Sequence, residues 1–161
     1  MARFYDEHHL QLFRFAWRLT GSVADAEDVV QECFLALLRP ECGFDERRTS
    51  LRTYLLGIVR NQALKRLRYR ENTTVQPEPV SDLGSPETAA LQSEMEDRIT
   101  RAVLALPATQ REILILAHYE QLPLAEIAEV VGIDVGAVKS RLQRARVSLR
   151  ETLAECAERL P

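Results

Sequence analysis

The chain has 161 residues, 46% of them hydrophobic and 28% charged, which is enough for a packed core and leaves room for one domain or two small helical ones. It has no run of 18 apolar residues and no basic-then-apolar N-terminus, so neither a membrane span nor a secretory signal is expected, and a cytoplasmic location follows by default. The formal net charge of −3 speaks against a nucleic-acid partner only until it is divided along the chain: residues 43–70 carry eight basic groups against two acidic, residues 135–150 carry five against none, and the rest is acidic. Local basic faces attract phosphate, whereas the whole-chain charge mainly sets solubility.

The apolar pattern has a helical period nearly throughout, and no stretch alternates with period two, so an all-α protein is expected. A first helix spans Leu10 to Leu19, with Leu12, Phe13, Phe15, Ala16 and Leu19 toward the core, and Gly21 breaks it. Ser22 then reads as an N-cap with Asp25 as the acid of a capping box. The second helix, with Ala26, Val29, Val30, Cys33 and Leu37 as its stripe, runs to about Leu38 before Pro40 and Gly43. A third starts near Ser50 and runs to about Arg70. Residues 71–86 hold three prolines and few aliphatic residues, the composition of a flexible linker. It divides the chain into 1–70 and 87–161. The second part reads as helices from about Glu87 to Ala105, Pro107 to Glu120, Leu124 to Val131 and, after a turn at Gly132 and a cap at Asp134, Val135 to about Arg159. The fold expected is therefore two small helical bundles joined by a linker.

Leu122 to Arg146 carries the sharpest signal. A helix-turn-helix needs a small residue where its helices cross, a turn that permits positive φ, and an apolar set on both sides. Ala128, Gly132 and the set Ile127, Val131, Ile133, Val138 and Leu142 supply these. On the second helix Val138, Leu142, Ala145, Leu149 and Leu153 must face inward. Lys139, Ser140, Gln143, Arg144 and Arg146 lie on the other side with no acid among them, a set suited to base edges and phosphates in a major groove. The alternative is an ordinary solvated basic face; the turn that precedes this one favours the DNA reading.

Two further stripes are open to more than one reading. Between Ser50 and Arg70 stand Arg52, Arg60, Lys65, Arg66, Arg68 and Arg70 and no acid, with Asn61, Lys65 and Arg68 on one face. With Tyr54 and the Arg47-Arg48 loop before it, this helix offers phosphate contacts and a stacking surface for unpaired bases, or simply a solvated surface with Tyr54 in the core. Asp25, Asp28 and Glu32, beside Gln31 and continued by Leu35, form an acidic stripe on the second helix. It suits a basic partner helix, or is a solvated face with acids favoured at a helix N-terminus. Three cysteines without a CxxC pair, and His8, His9 and His118 without ligand spacing, argue against a disulfide framework and a zinc site. No phosphate loop or nucleophile triad is visible, so neither an enzyme nor a cofactor is expected.

In this order the pieces resemble the extracytoplasmic-function sigma factors, the minimal members of the sigma-70 superfamily. LTGSVADAEDVVQECFLALL (19–38) is similar to region 2.1–2.2, LRTYLLGIVRNQALKRLRYR (51–70) to regions 2.3–2.4, and LPATQREILILAHYEQLPLAEIAEVVGIDVGAVKSRLQRAR (106–146) to region 4. The resemblance implies a factor that binds core RNA polymerase, directs it to promoter DNA and helps open it, often under the control of an anti-sigma protein. Region 2 would span 1–70, the linker 71–86 and region 4 87–161. Asp25, Asp28, Gln31, Glu32 and Leu35 would dock on the β′ clamp helices, with the β flap as a second polymerase contact. Arg48, Arg52, Tyr54, Arg60, Asn61, Lys65 and Arg68 would serve the minus-10 element, and Lys139, Ser140, Arg141, Gln143, Arg144 and Arg146 the minus-35 element. The family commonly has Phe and Trp where this chain has Leu51 and Tyr54, which keeps apolar bulk but alters the melting loop. Two rival readings are a dimeric one-component repressor, with residues 1–70 sensing a ligand, and a protein that sequesters a regulator through its acidic face.

Overall fold

The computed structural model describes residues 2–72 and 90–158. The described residues form seven helices: α1 (Ala2–Thr20), α2 (Val23–Leu38), α3 (Leu51–Asn72), α4 (Ala90–Leu104), α5 (Ala108–His118), α6 (Leu124–Val131) and α7 (Val135–Glu158). The described chain is all-α, as the period of its apolar residues requires. Most of the expected linker lies outside the described residues; Glu71 and Asn72 belong to α3.

The first helix begins at Ala2, not at Leu10. Its early turns are held by aromatic packing on α2: the Phe4 and Phe34 rings meet edge to face at 6.0 Å and Tyr5 lies 4.8 Å from Phe34. Leu10, the expected first residue of the helix, lies within it and is exposed. The expected core side, Leu12, Phe13, Phe15, Ala16 and Leu19, is buried.

The caps follow from short polar side chains. Ser22 accepts the Asp25 amide at 3.2 Å and starts α2. The reciprocal half of the capping box is not made by Asp25: the Ser22 amide bonds the Thr20 hydroxyl at 3.3 Å, and the Asp25 carboxylate turns to Arg70. Ser50 accepts the Thr53 amide at 3.2 Å and starts α3. Asp134 accepts the Ala137 amide at 2.8 Å and starts α7. Gly132, at φ +78°, closes α6, and its amide and that of Ile133 both bond the Ala128 carbonyl, at 2.8 and 3.2 Å. A left-handed residue at this place satisfies helix-end carbonyls with no Cβ penalty.

The two bundles do not stand apart. Helices α1–α3 pack on one another, α5–α7 do the same, and α1 also contacts α4 and α5 while α3 contacts α6. One continuous apolar core runs from Leu12, Phe15, Val29, Leu55 and Val59 through Val103 and Leu106 to Ile113, Leu116, Ile127, Val138 and Leu142. The α1–α2 turn lies in the seam: Gly21 has φ +70°, and a Cβ on it would meet Leu104 Cδ2 at 3.2 Å. Half-buried Arg111 closes the seam from the other side. It donates to the Leu19 carbonyl at 2.5 Å and to those of Leu104 and Leu106 at 2.7 and 2.9 Å. Burial pushes its guanidinium down from its usual pKa, and carbonyl bonds of this charge-assisted kind are what make a buried cation tolerable.

Candidate nucleic-acid interface

The face of α7 divides as its period dictates. Val138, Leu142 and Ala145 are buried against α5 and α6, while Lys139, Ser140, Gln143, Arg144 and Arg146 are exposed and Arg141 is half-buried. Among the described residues no carboxylate stands within ion-pair distance of Lys139, Arg141, Arg144 or Arg146. Arg146 Nε donates to His118 Nε2 at 3.2 Å, which ties it to the end of α5. Beside the helix a groove of about 740 Å³ is lined by Lys139, Gln143, Arg146 and Arg150 together with the apolar Leu122–Leu124 turn. A rigid helix thus presents cations and an amide beyond a fixed turn, the arrangement by which a recognition helix meets base edges and phosphates.

Helix α3 has three polar faces, where the sequence suggested one. Asn61, Lys65 and Arg68 are exposed, as is Arg48 in the preceding loop. Arg66 and Arg70 turn toward α2: Arg66 reaches Asp28 at 3.3 Å and Glu32 at 3.1 Å, and Arg70 pairs with Asp25 and donates to the Thr20 carbonyl at 2.8 Å. Arg52 and Arg60 turn toward α5. Arg60 grips Glu112 through Nε at 2.7 Å and Nη2 at 3.1 Å; Arg52 Nη2 meets the Glu120 carboxylate at 3.1 Å and its carbonyl at 2.6 Å.

Tyr54 is half-buried, neither a core residue nor a free ring. It packs at 5.2 Å on Phe44, and its hydroxyl lies 3.8 Å from Cys42 Sγ. Desolvation, then the contact with Cys42, push its phenol up from the usual value. The ring lines a cleft of about 390 Å³ with Thr49, Thr53, Gly57, Ile58 and Asn61, whose far wall is Glu129 and Val130 of α6.

On α2, Asp28, Gln31 and Leu35 are exposed, Leu35 at 56%, and Asp25 and Glu32 are half-buried. The acidic stripe is thus already partly neutralised by Arg66 and Arg70, a feature its own spacing could not disclose. Sequence reasoning also missed Glu112, Glu120 and Arg111. Glu112 directly precedes the run Ile113–Leu116, every member of which is buried, and an acid so placed needs a buried cation. That was the available signal. Among the described residues no helix is long and apolar enough to cross a membrane.

Residues 4–73 match the family model for sigma-70 region 2, and residues 96–149 the model for sigma-70 region 4. The ECF RNA polymerase sigma factor SigL of Mycobacterium tuberculosis is 37% identical over 161 residues, covering 96% of this chain and 89% of that protein. The ECF RNA polymerase sigma factor SigW of Bacillus subtilis is 30% identical over 158 residues, covering 90% and 84%. Among solved structures, the sigma factor RpoE in complex with the anti-sigma factor NepR from Bartonella quintana superposes with a TM-score of 0.76 at 27% identity, over 96% of this chain and 98% of that one. CnrH in complex with the cytosolic domain of CnrY gives a TM-score of 0.72 at 24% identity, over 96% and 87%, and supports the fold. With two regional models in the expected order and relatives matched over most of their length, the chain belongs to the extracytoplasmic-function sigma factors of the sigma-70 family.

Proposed function

We propose that the labour of promoter use is divided among three surfaces of this sigma factor. The exposed face of α7, Lys139, Ser140, Gln143, Arg144 and Arg146 with Arg141 at its margin, reads the duplex minus-35 element. Arg48, Arg52, Tyr54, Arg60, Asn61, Lys65 and Arg68 hold the minus-10 strand, with the Tyr54 cleft receiving an unpaired base. Asp28, Gln31, Glu32 and Leu35, with Asp25 at the edge, dock on the β′ clamp helices, and residues 87–161 meet the β flap. Residues 1–70 act as the core-binding and melting domain, 71–86 as the connection between domains. The observation that carries this reading is the cationic face of α7, exposed and without carboxylate partners among the described residues, following the left-handed turn at Gly132.

Opening a duplex costs a few kcal/mol per unstacked step, so capture of an unpaired base must offset part of it. The chain then works without catalysis of its own, in the cytoplasm where polymerase is found, and an anti-sigma protein, as in the RpoE–NepR complex, would hold it inactive. Run-off transcription with purified core polymerase tests the whole. Initiation at a cognate promoter when the chain is added is expected, and its absence would sink the reading. Tight duplex binding without polymerase would instead favour a repressor.

A further inference from the structure

We propose that Glu112 and Glu120 hold, in the free chain, the guanidinium groups that the minus-10 strand needs, so that the second bundle competitively masks the DNA-holding face of α3. The inference rests on the minus-10 role given above to Arg52 and Arg60.

Four observations converge on it. Glu112 is fully buried, and its two carboxylate oxygens take the Nε and Nη2 donors of Arg60 in a forked pair at 2.7 and 3.1 Å. The same planar fork is what an arginine offers a phosphate. Glu120 is 5% exposed and takes Arg52 at 3.1 Å and Gln11 of α1 at 2.9 Å. Directly after Arg52 in α3, the Thr53 hydroxyl donates to Glu126 of α6 at 3.4 Å. Finally, Glu129 and Val130 wall the cleft lined by Tyr54 and Asn61. Of the seven minus-10 residues, Arg48, Asn61, Lys65 and Arg68 are left exposed, and Arg52, Tyr54 and Arg60 are half-buried. A strand cannot reach Arg52 and Arg60 through phosphate while Glu112 and Glu120 occupy them, and it cannot enter the Tyr54 cleft freely past α6.

The chemistry of the seam suits a reversible closure. A buried ion pair gains little net stability, because desolvation of both charges opposes their attraction. It is nevertheless specific, since a carboxylate left there without its arginine is strongly disfavoured. When the halves separate, Glu112 and Glu120 regain water and Arg52 and Arg60 are offered to anions. The second bundle thus imposes alignment on the closed state at modest cost to opening.

The test uses the full chain and a mixed-sequence single-stranded DNA oligonucleotide as probe. Glu112→Gln with Glu120→Gln keeps shape and removes both charges. Glu94→Gln with Glu96→Gln, on the exposed surface of α4, makes the same charge change away from the seam. The seam variant is expected to bind the oligonucleotide at least about tenfold more tightly than the control, because it releases a competing anion as well as lowering repulsion, and its radius of gyration in solution scattering is expected to rise. Equal affinity in the two variants, or tighter binding with no expansion, overturns the proposal. A second arm guards against misfolding: Gln11→Cys with Glu120→Cys, in a Cys42→Ser, Cys156→Ser background, joined by a short reducible bis-thiol crosslinker. Crosslinking is expected to weaken oligonucleotide binding by about tenfold and reduction to restore it; equal affinity before and after reduction overturns masking. Run-off transcription by the wild-type chain is measured in parallel. If it initiates while the seam variant behaves as the control does, masking fails and the sigma reading stands; if it does not initiate, the sigma reading fails on its own.

Discussion

At the scale of the residue, what a side chain does here depends on what its neighbours have already claimed. Arg144 is exposed and faces no carboxylate among the described residues, so Arg144→Ala should cost about 1–3 kcal/mol of promoter selection if it reads a base. Competition transcription on templates with an intact or a scrambled upstream element measures this. Asp28 is exposed too but shares Arg66 at 3.3 Å. Asp28→Ala should weaken association with core polymerase in a direct binding assay and leave the ranking of promoter sequences unchanged. Cys33 is fully buried, and burial pushes its thiol up to about 12, well above the ordinary thiol range. Its neutral form is thus favoured by folding: as pH rises past about 9 the unfolded chain ionises first, and stability falls. Alkylation of the native protein near pH 8 should therefore modify exposed Cys156 readily and spare Cys33 until denaturant is added. The faces of α7 were legible in the sequence because one helix sets them. The partners of Arg60 and Arg52 were not, because Glu112 and Glu120 lie 52 and 68 residues away; the apolar run after Glu112 says that this acid needs a cation but not which one.

At the scale of the element, period and capping did most of the specifying. The ends of α2, α6 and α7 follow from Ser22, Gly132 and Asp134, each legible from residue chemistry. The start of α1 was not, because its first turns have few aliphatic residues and are fixed by Phe4 and Tyr5 against Phe34, a contact between helices. The two left-handed glycines separate local strain from packing. Gly132→Ala meets nothing within 4 Å, so it should cost only the backbone term, about 1–2 kcal/mol. Gly21→Ala has the same backbone cost and also presses on Leu104 at 3.2 Å. The expected order of melting temperatures is wild type, then Gly132→Ala, then Gly21→Ala. Equal loss in the two would mean that Leu104 yields freely. Ser22→Ala should cost about 1 kcal/mol through the lost cap of α2, read from the same denaturation curves.

At the scale of the molecule, the sequence spoke for two bundles, and the described chain joins them through a common core. The expectation of two units rested on the composition of 71–86, which says that a boundary exists in the chain but not whether the units touch. Contact depended on Arg111, on the Gly21–Leu104 approach and on the buried carboxylates of Glu112 in α5 and Glu120 just beyond it. Halves that share a core should melt together. Calorimetry of the wild-type chain is expected to give one transition, and Glu112→Gln with Glu120→Gln to divide it into two. A single unshifted transition in the variant would mean that apolar contact alone couples the halves.

The three-way contact of Arg66 has a consequence for the order of events. Its guanidinium sits between α2 and α3, near Asp25 at 3.8 Å and bonded to Asp28 and Glu32. Any incoming cation that claims Asp28 and Glu32 must evict Arg66 from them, and the evicted side chain stays on the same helix as Lys65 and Arg68. Occupying the anionic side of the first bundle thus enriches its cationic side. The exchange involves half-exposed groups and so carries at most about 1 kcal/mol, a bias too weak to act as a switch but of the right sign to make the second handshake follow the first.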